Sequence, residues 1–491
     1  MAIGDMFKFM DRRSRSELRQ KMNLGIIGID RDDKVNVFRD KKLELLDSYY
    51  ENRQYDHLPS WEQTSSKQGG HLSVRQKKPR IQSAFAKTLS QRLTSKLIGT
   101  SVFPQFNLHD YPDDQAFLRA VVRESALKYH ILEPTRRMVN TGSVLYRYYL
   151  EAGAIKSEWY NAKYCYPVFQ PNGELQQVTI KYVWTDENEK DDAGHFVKKW
   201  WKMDLMMDRE ILYDNPKFEP DVEPEFQIVS EVVHDLGFVQ AEWMKTCEMP
   251  NTPDGYGIVA DIMDFIDEIN YSISQSSNAI SFNQDPQLVF SQMTEDELAN
   301  VFRSSFKSWN LGLKGKAEFL ESKLDGVKMA IEMRDKVRLN LQDITRIVLL
   351  DPDKIVGSAQ SGKAMEVLHG PLKDLVDELR MPMERSLKKL VTKMAITVLI
   401  ANSRGIPVPI EIPPGYKPQT IDFDVKWPPI FAQTTEDLHK KVQMVSAATS
   451  ASLISRETGT RYLAEDFNIE NVDEELQKIA SQPVLNPFGG F

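Results

Sequence analysis

The segment Gly357–Ala364 has the spacing of a phosphate-binding loop. Its sequence, GSAQSGKA, nearly matches G-x-x-x-x-G-K-[ST], in which backbone N–H groups and the lysine hold phosphates and the final hydroxyl binds Mg²⁺. The final residue here is Ala364, which has no hydroxyl, and residues 337–348 before it show a helical period where that loop requires a buried strand. An NTPase remains an alternative, but a bend between two helices explains the glycines better.

Other catalytic and metal-binding patterns are missing from the sequence. The eight histidines show no metal-ligand spacing, and the motifs H-E-x-x-H and G-x-S-x-G do not occur. The two cysteines, Cys165 and Cys247, lack the paired spacing of a zinc site or a disulfide framework. We therefore expect no catalytic residue, no cofactor and no metal. The cysteine content is typical of a reducing cytoplasm.

The charge balance limits how the chain can bind nucleic acid. Its net charge is −9 over 491 residues, whereas tight DNA binding depends on a basic surface that neutralises phosphates. A channel along which DNA slides has the opposite requirement, because fixed phosphate contacts slow the movement. Solubility alone explains the acidic balance equally well. The sequence has no apolar run long enough to span a membrane and no apolar segment after its basic N-terminus, so we expect neither a membrane span nor a secretory signal.

Three apolar patterns with a helical period occupy the second half of the chain. The first predicts a helix over residues 258–273, and the second predicts a helix over 327–348. The third runs over 363–401 and would be about 60 Å long if unbroken. Pro371 and Pro382 lie within it, so we predict a kink or a break rather than a straight rod.

The middle of the chain shows a period of two, which is typical of β-strands. Strands are predicted at 144–150, 178–184 and 196–203. Residues 40–250 are therefore predicted to form an α+β unit built around an antiparallel sheet.

A small insert separates the first two helical patterns. It is predicted to contain a strand at 288–290, a helix at 294–309 and a strand at 314–320. Such a unit buries little apolar surface and would be marginally stable alone. We expect neighbouring copies of the chain to complete it.

The order of these elements resembles that of bacteriophage portal proteins, the rings through which double-stranded DNA enters and leaves a capsid. The resemblance includes Asp261–Asn270, the sequence Ser361–Ala364 and Leu453–Thr458, and it extends over residues 80–480. It implies an α+β subunit of a twelve-membered ring without enzymatic activity. The implied partners are double-stranded DNA bound without sequence preference, a terminase, head-completion or adaptor proteins, and the major capsid and scaffolding proteins, in a virion assembled in the host cytoplasm.

The resemblance also implies a division of the chain into named parts. In chain order these are an N-terminal arm (1–40), the first part of an antiparallel-sheet wing (41–254), a stem helix (255–283), a small α/β clip (284–326), a second stem helix (327–348), a tunnel loop (349–362), a long kinked wing helix (363–404), a linker with a returning wing strand (405–430), a helical crown (431–482) and a disordered tail (483–491).

Two groups of residues are candidate functional sites. In the ring that the resemblance implies, the tunnel loop surrounds the channel, and the residues that would touch DNA are Asp351, Asp353, Lys354, Gln360, Ser361 and Lys363. The stem helices carry opposite charges, at Asp261, Asp264 and Asp267 on the first and at Arg334, Lys336 and Arg338 on the second.

Packing between the two stem helices of one chain explains these charges better than direct contact with DNA does. Registry between neighbouring subunits is a further reading of the same charges. For the whole chain, a helical scaffold that only oligomerises stands beside the portal and the NTPase as a third reading.

Overall fold

The computed structural model describes residues 33–66, 69–99, 104–107, 112–219, 222, 224–250, 252–284, 287–291, 316–320, 325–347, 369–416, 423–430, 435–464, 467, 469 and 472–481. These residues divide into two compact units, one ending at Pro428 and the other starting at Pro429. Helices and antiparallel sheets make a mixed α+β fold, as predicted. Within the described residues, no helix is long and apolar enough to cross a membrane.

The first unit begins with a layer of helices. Leu89, Leu93 and Leu97 recur every fourth residue and are fully buried, because this spacing returns each side chain to the same face of a helix. Gly142 ends the layer in the left-handed conformation with φ +93°. The helices are α1 (Asp33–Tyr50), α2 (Phe85–Leu97), α3 (Pro112–Glu124), α4 (Leu127–His130) and α5 (Leu132–Thr141).

Two antiparallel sheets follow the helices. One has the order β3-β2-β9, and the other keeps chain order from β4 to β8, so that β4 and β8 are its edges. The strands predicted at 144–150, 178–184 and 196–203 are confirmed within β2, β5 and β6. The strands of this unit up to residue 245 are β1 (Gln105–Asn107), β2 (Ser143–Glu151), β3 (Ala154–Asn161), β4 (Cys165–Phe169), β5 (Leu175–Lys190), β6 (Phe196–Met206), β7 (Arg209–Tyr213), β8 (Ile228–Val233) and β9 (Ala241–Lys245).

The core of this unit joins α1 to both sheets. Val178 and Ile180 on β5 point to the same face because side chains alternate along a strand, and both are fully buried. They belong to one cluster with Leu43 of α1, Leu145 of β2 and Leu205 of β6. The sheets and the first helix therefore form one packed body.

The first stem helix starts later than predicted. Residues Ile258–Asp261 form a 3₁₀ turn, and the α-helix α6 spans Met263–Gln284. The insert contains β10 (Gln287–Ser291) and β11 (Lys316–Leu320), which pair antiparallel. The helix predicted at 294–309 lies outside the described residues. Helix α7 (Asp325–Thr345) follows.

The third helix, α8, spans Gly370–Ser403 without interruption. Pro371 lies in its first turn, where its missing N–H removes no helical hydrogen bond. Pro382 lies inside α8, and the helix continues past it, so the helix is not broken at this residue. The predicted kink stays a prediction. Residues 363–368, where the helix was predicted to start, lie outside the described residues. After α8, β12 (Asp424–Lys426) pairs antiparallel with β1.

The second unit is helical in its described part. It contains α9 (Thr435–Ser450), α10 (Arg456–Ala464) and α11 (Val472–Ser481). Ser455 caps α10, because its Oγ accepts a hydrogen bond of 3.0 Å from the N–H of Thr458. A side chain at Gly459 would place its Cβ 3.1 Å from Val445, so the glycine lets α9 and α10 approach closely.

Candidate functional site

The base of helix α6 is held in the first unit by a buried carboxylate. Asp267 is 5% exposed, and its Oδ1 accepts hydrogen bonds from Tyr49 Oη at 2.9 Å and Tyr55 Oη at 2.6 Å. Burial and the neighbouring Asp267 charge raise the pKa of Tyr55, so the phenol remains a donor. Asp267 therefore ties α6 to α1 and to the turn after it.

The next turn of α6 holds the segment before α2. Asn270 Oδ1 accepts a hydrogen bond of 2.9 Å from the N–H of Ser83, and its Nδ2 donates to Tyr55 Oη at 3.1 Å. Ser274 Oγ accepts from the N–H of Ile81 at 3.0 Å. Asn270 and Ser274 are fully buried. These hydrogen bonds fix the backbone at Ile81 and Ser83 against α6.

Three glycines let the chain cross itself immediately before α6. A Cβ at Gly142 would lie 2.0 Å from the carbonyl oxygen of Gly255, and a Cβ at Gly257 would lie 2.4 Å from the carbonyl oxygen of Asn140. Thr246 Oγ1 closes the crossing by donating to the carbonyl oxygen of Tyr256 at 2.6 Å. The crossing therefore fixes where the 3₁₀ turn and α6 begin.

The charged residues predicted on the first stem helix bond within the first unit. Asp261 accepts a hydrogen bond from Tyr256, and Asp267 accepts from the two tyrosines. Glu268 forms an ion pair with Arg75, and Asp264 is exposed. The described partners of Asp261 and Asp267 are thus tyrosines, and the predicted pairing with the second stem helix stays a prediction.

The predicted cations lie on α7. Arg334 Nη2 lies 2.7 Å from Oδ1 of its neighbour Asp335, while Lys336 is exposed and Arg338 is half-buried. The described contact between α6 and α7 uses small side chains, since Ser272 Oγ donates to the carbonyl oxygen of Ala330 at 3.3 Å. A groove of about 350 Å³ lies between the helices, and its lining combines serines with isoleucines: Ser272, Ile273, Ser276, Ser277, Ile280, Ser281, Ala330, Ile331 and Arg334.

Helix α7 carries large apolar side chains that no described part of the chain covers. Val337 and Leu341 are buried, but Ile331 and Ile344, which belong to the same predicted apolar stripe within residues 327–348, are exposed. The exposed apolar set is completed by side chains outside that stripe: Met329 is 70%, Met333 51% and Leu339 57% exposed. Met333 and Leu339 lie about 120° apart around the helix, so the exposed apolar side chains are spread around α7 outside the buried stripe; together they are called the apolar face of α7. Apolar residues outside the predicted stripe were the sequence signal for them.

Helix α8 is fixed to the sheets and to α2 by polar groups within an apolar surface. Lys393 Nζ lies 2.7 Å from Glu242 Oε2 and donates to the carbonyl oxygen of Ala241 at 2.9 Å. Burial raises the pKa of Glu242, although the Lys393 charge opposes the shift. Arg380 Nη2 donates to the carbonyl oxygens of Lys96 at 3.0 Å and Pro428 at 2.8 Å. Sequence periodicity missed Lys393, because a lysine within an apolar run gives no sign of its partner.

The remaining predicted site lies outside the described residues. All six tunnel-loop positions, Asp351, Asp353, Lys354, Gln360, Ser361 and Lys363, belong to this group. The segment before them that the structure does describe, α7, is a helix and not the strand that a phosphate-binding loop requires. Among the described residues, no cluster of three or more His, Cys, Asp or Glu could hold a metal ion.

This architecture defines a class of α+β proteins in which two helices are joined by a small β insert. The first of these helices, α6, is anchored at its base, and the second, α7, carries the exposed apolar side chains. The chain belongs to the family of phage portal proteins of the SPP1 Gp6-like type, whose family model matches residues 39–483. The resemblance predicted from the sequence is confirmed.

A search of curated proteins finds no match to this chain. Among solved structures, a chain from the virion of a native gene transfer agent particle is similar at 10% sequence identity and a TM-score of 0.42. The match covers 78% of this chain and 89% of the other.

Proposed function

We propose that twelve copies of this chain form a ring at a capsid vertex, and that double-stranded DNA passes through the ring during packaging and ejection. The ring is a conduit and an assembly hub of the virion rather than an enzyme. Membership of the portal family supports the proposal, and the uncovered apolar face of α7 is the observation within this chain that carries it. The proposal also divides the chain as the resemblance implies, into wing, stem (α6 and α7), clip (β10, β11 and the residues between them), tunnel loop, long wing helix and crown.

The apolar face of α7 needs a partner. Burying a large aliphatic or methionine side chain stabilises an assembly by about 1.5–3 kcal/mol, and exposed apolar patches commonly mark interfaces. The hairpin of α6 and α7 offers the groove between the two helices as well as this face. In a head-to-tail ring, the face of one copy meets the hairpin of the next, and each contact is repeated at every interface.

The surface charges suit a channel that DNA slides through. Asp264 and Lys336 are both exposed on the stem helices, so neither sign dominates there. The tunnel loop adds Asp351, Asp353 and Lys354, and Lys363 follows it directly. Weak and balanced contacts with phosphate keep the affinity for DNA low.

The proposal assigns docking surfaces by the same division. The clip would bind a terminase during packaging and head-completion or adaptor proteins afterwards, and the outer wing would contact the major capsid and scaffolding proteins. The terminase would supply the energy for packaging. The alternative NTPase is disfavoured by Ala364 and by the helical segment before the loop.

Substitution on α7 tests the proposal. We expect Met333→Glu combined with Leu339→Glu to leave folded monomers, because both side chains are exposed in the chain by itself and buried in the ring. The control is Met381→Glu on α8, whose side chain is 69% exposed. Native mass spectrometry should show rings for the unaltered protein and for the control. Rings of normal size from the α7 variant would contradict the proposed role of this face.

A further inference from the structure

Strand β8 exposes apolar side chains on both of its faces. All residues of Ile228–Val233 are exposed, and the aliphatic ones strongly so: Ile228 59%, Val229 64%, Val232 57% and Val233 56%. The strand is also an edge of the five-stranded sheet. An edge presents backbone N–H and C=O groups that can pair with an added strand.

The opposite edge of the same sheet is protected. Pro167 in β4 has no N–H to donate, which blunts an edge. Helix α1 also covers β4, since Arg39 Nη1 donates to the carbonyl oxygen of Cys165 at 2.8 Å and Tyr166 Oη donates to Asp40 Oδ2 at 3.0 Å. Strand β8 contains neither proline nor lysine. Of the two edges of this sheet, β4 is therefore protected, and β8 is open to pairing.

We propose that residues Leu24–Ile29 of one subunit add to the β8 edge of the neighbouring subunit as an extra strand. The inference rests on the proposed function, because it requires a second copy beside the first. It assigns to the N-terminal arm the role of linking neighbouring subunits through their sheets.

The apolar pattern of the segment matches that of β8. Its sequence is LGIIGI, so Leu24 and Ile26 would point to one face of an added strand, and Ile27 and Ile29 to the other. Strand β8 is likewise apolar on both faces. Each face of the added strand would thus cover aliphatic side chains of β8, as cross-strand pairs in a sheet do.

The charges beside the two segments are complementary. The arm before residue 24 is basic, and the chain before β8 is acidic, with Glu219 and Glu225 both exposed. Opposite charges near an interface guide association and fix its orientation. The basic residues of the arm are Lys8, Arg12, Arg13, Arg15, Arg19 and Lys21.

The neighbouring copy, rather than the same chain, supplies the segment. Helix α1 lies against β4 through Asp40, and β8 is four strand spacings away, roughly 19 Å. Only residues 30–32 connect the segment to α1, and they reach about 10 Å. To arrive at its own β8, the chain would need α1 and this linker to run straight across the sheet, whereas a neighbour in a ring brings a second β8 alongside.

Cross-linking within mixed rings tests the inference. One chain carries Ile27→Cys and the other Ser230→Cys, both with Cys247→Ser; Cys165 stays, because burial raises the pKa of its thiol and makes it unreactive. With a short bismaleimide, we expect a covalent two-chain product. The matched control replaces Ser230→Cys with Val168→Cys, which is 51% exposed on β4, and should give none.

The outcomes separate the inference from the proposed function. Rings without the product at residue 230, or with an equal product at residue 168, overturn the inference and leave the ring intact. A link within a single chain carrying both cysteines places the arm on its own sheet and also overturns it. Failure of the unaltered protein to form rings would contradict the proposed function instead.

Hydrogen exchange supplies a measurement that needs no cross-link. In rings of the unaltered protein, we expect the outward amides of residues 228–233 to be protected. Ile26→Asp with Ile27→Asp should make them exchange at least about tenfold faster, since local opening sets this rate, while Phe7→Asp with Phe9→Asp should not. Rapid exchange of these amides in unaltered rings would overturn the inference even if the arm variants fail to assemble.

Discussion

The Nζ atom of Lys393 lies 2.7 Å from Oε2 of Glu242, and both side chains are only 10% exposed. The pair joins α8 to β9. Removing one partner of a buried ion pair leaves the other charge without compensation, which costs about 3–5 kcal/mol, whereas replacing both can be neutral. Substitutions of Lys393 and Glu242 therefore test whether this ion pair fixes α8 to β9.

We expect Lys393→Met to lower the free energy of unfolding by about 3–5 kcal/mol, because Glu242 remains buried. Adding Glu242→Leu should restore most of the loss. Urea unfolding of the ring-defective α7 variant, followed by tryptophan fluorescence, measures both changes on a monomer. Equal destabilisation by the single and the double variant would show that the pair does not act as a unit.

The glycine crossing predicts a steric effect at Gly255. Its added Cβ would lie 2.5 Å from the carbonyl oxygen of Gly142 and 2.6 Å from Thr246 Oγ1, so backbone must shift. We expect Gly255→Ala to cost about 1–3 kcal/mol, as overpacking does, and to increase hydrogen exchange at the start of α6. Gly370→Ala, where nothing lies within 4 Å, is the control. A Gly255→Ala protein as stable as this control would refute the crossing.

Glu174 gives a prediction about how the stability of the protein depends on pH. Burial opposes its ionisation, but a hydrogen bond of 2.6 Å from Lys389 outweighs burial and lowers the pKa of Glu174 below its ordinary 4.5. A lowered carboxyl pKa contributes stability above the unfolded value and loses it as the pH falls through the folded value. The difference in urea midpoint between the unaltered protein and Glu174→Gln should therefore shrink from pH 7 to pH 3. This difference in midpoint is small, because the pair of Glu174 and Lys389 is partly solvated. A difference in midpoint that grows as the pH falls would contradict the lowered pKa of Glu174.

The tunnel loop gives a prediction about DNA movement. Asp351→Lys with Asp353→Lys should leave ring assembly intact but slow packaging at low salt. Each added phosphate contact steepens the log–log salt dependence by about 0.9, and a ring repeats the contact in every subunit, so higher salt should relieve the defect. Packaging assays at two salt concentrations measure this. Normal packaging at low salt would show that the loop does not line the channel, and failed assembly would make it a structural connector.

The sequence predicts the types of most elements but not the partners of individual side chains. Periodicity locates β2, β5, β6, α6 and α7 because burial on one face imposes a repeat on the residues. It misses the late start of α6, since the 3₁₀ turn keeps Ile258 and Ile262 buried and so preserves the apolar spacing. It also assigns Asp267 to a charged stem face, whereas two tyrosines more than 200 positions away bind it. Contacts of that range follow from the fold and leave no local repeat.

Electron microscopy of the purified, unaltered protein tests the central claim most directly. We expect closed rings of twelve subunits with a central channel wide enough for double-stranded DNA, and no ATP hydrolysis above background in the same preparation. Monomers that hydrolyse ATP, with the activity abolished by Lys363→Ala, would contradict it.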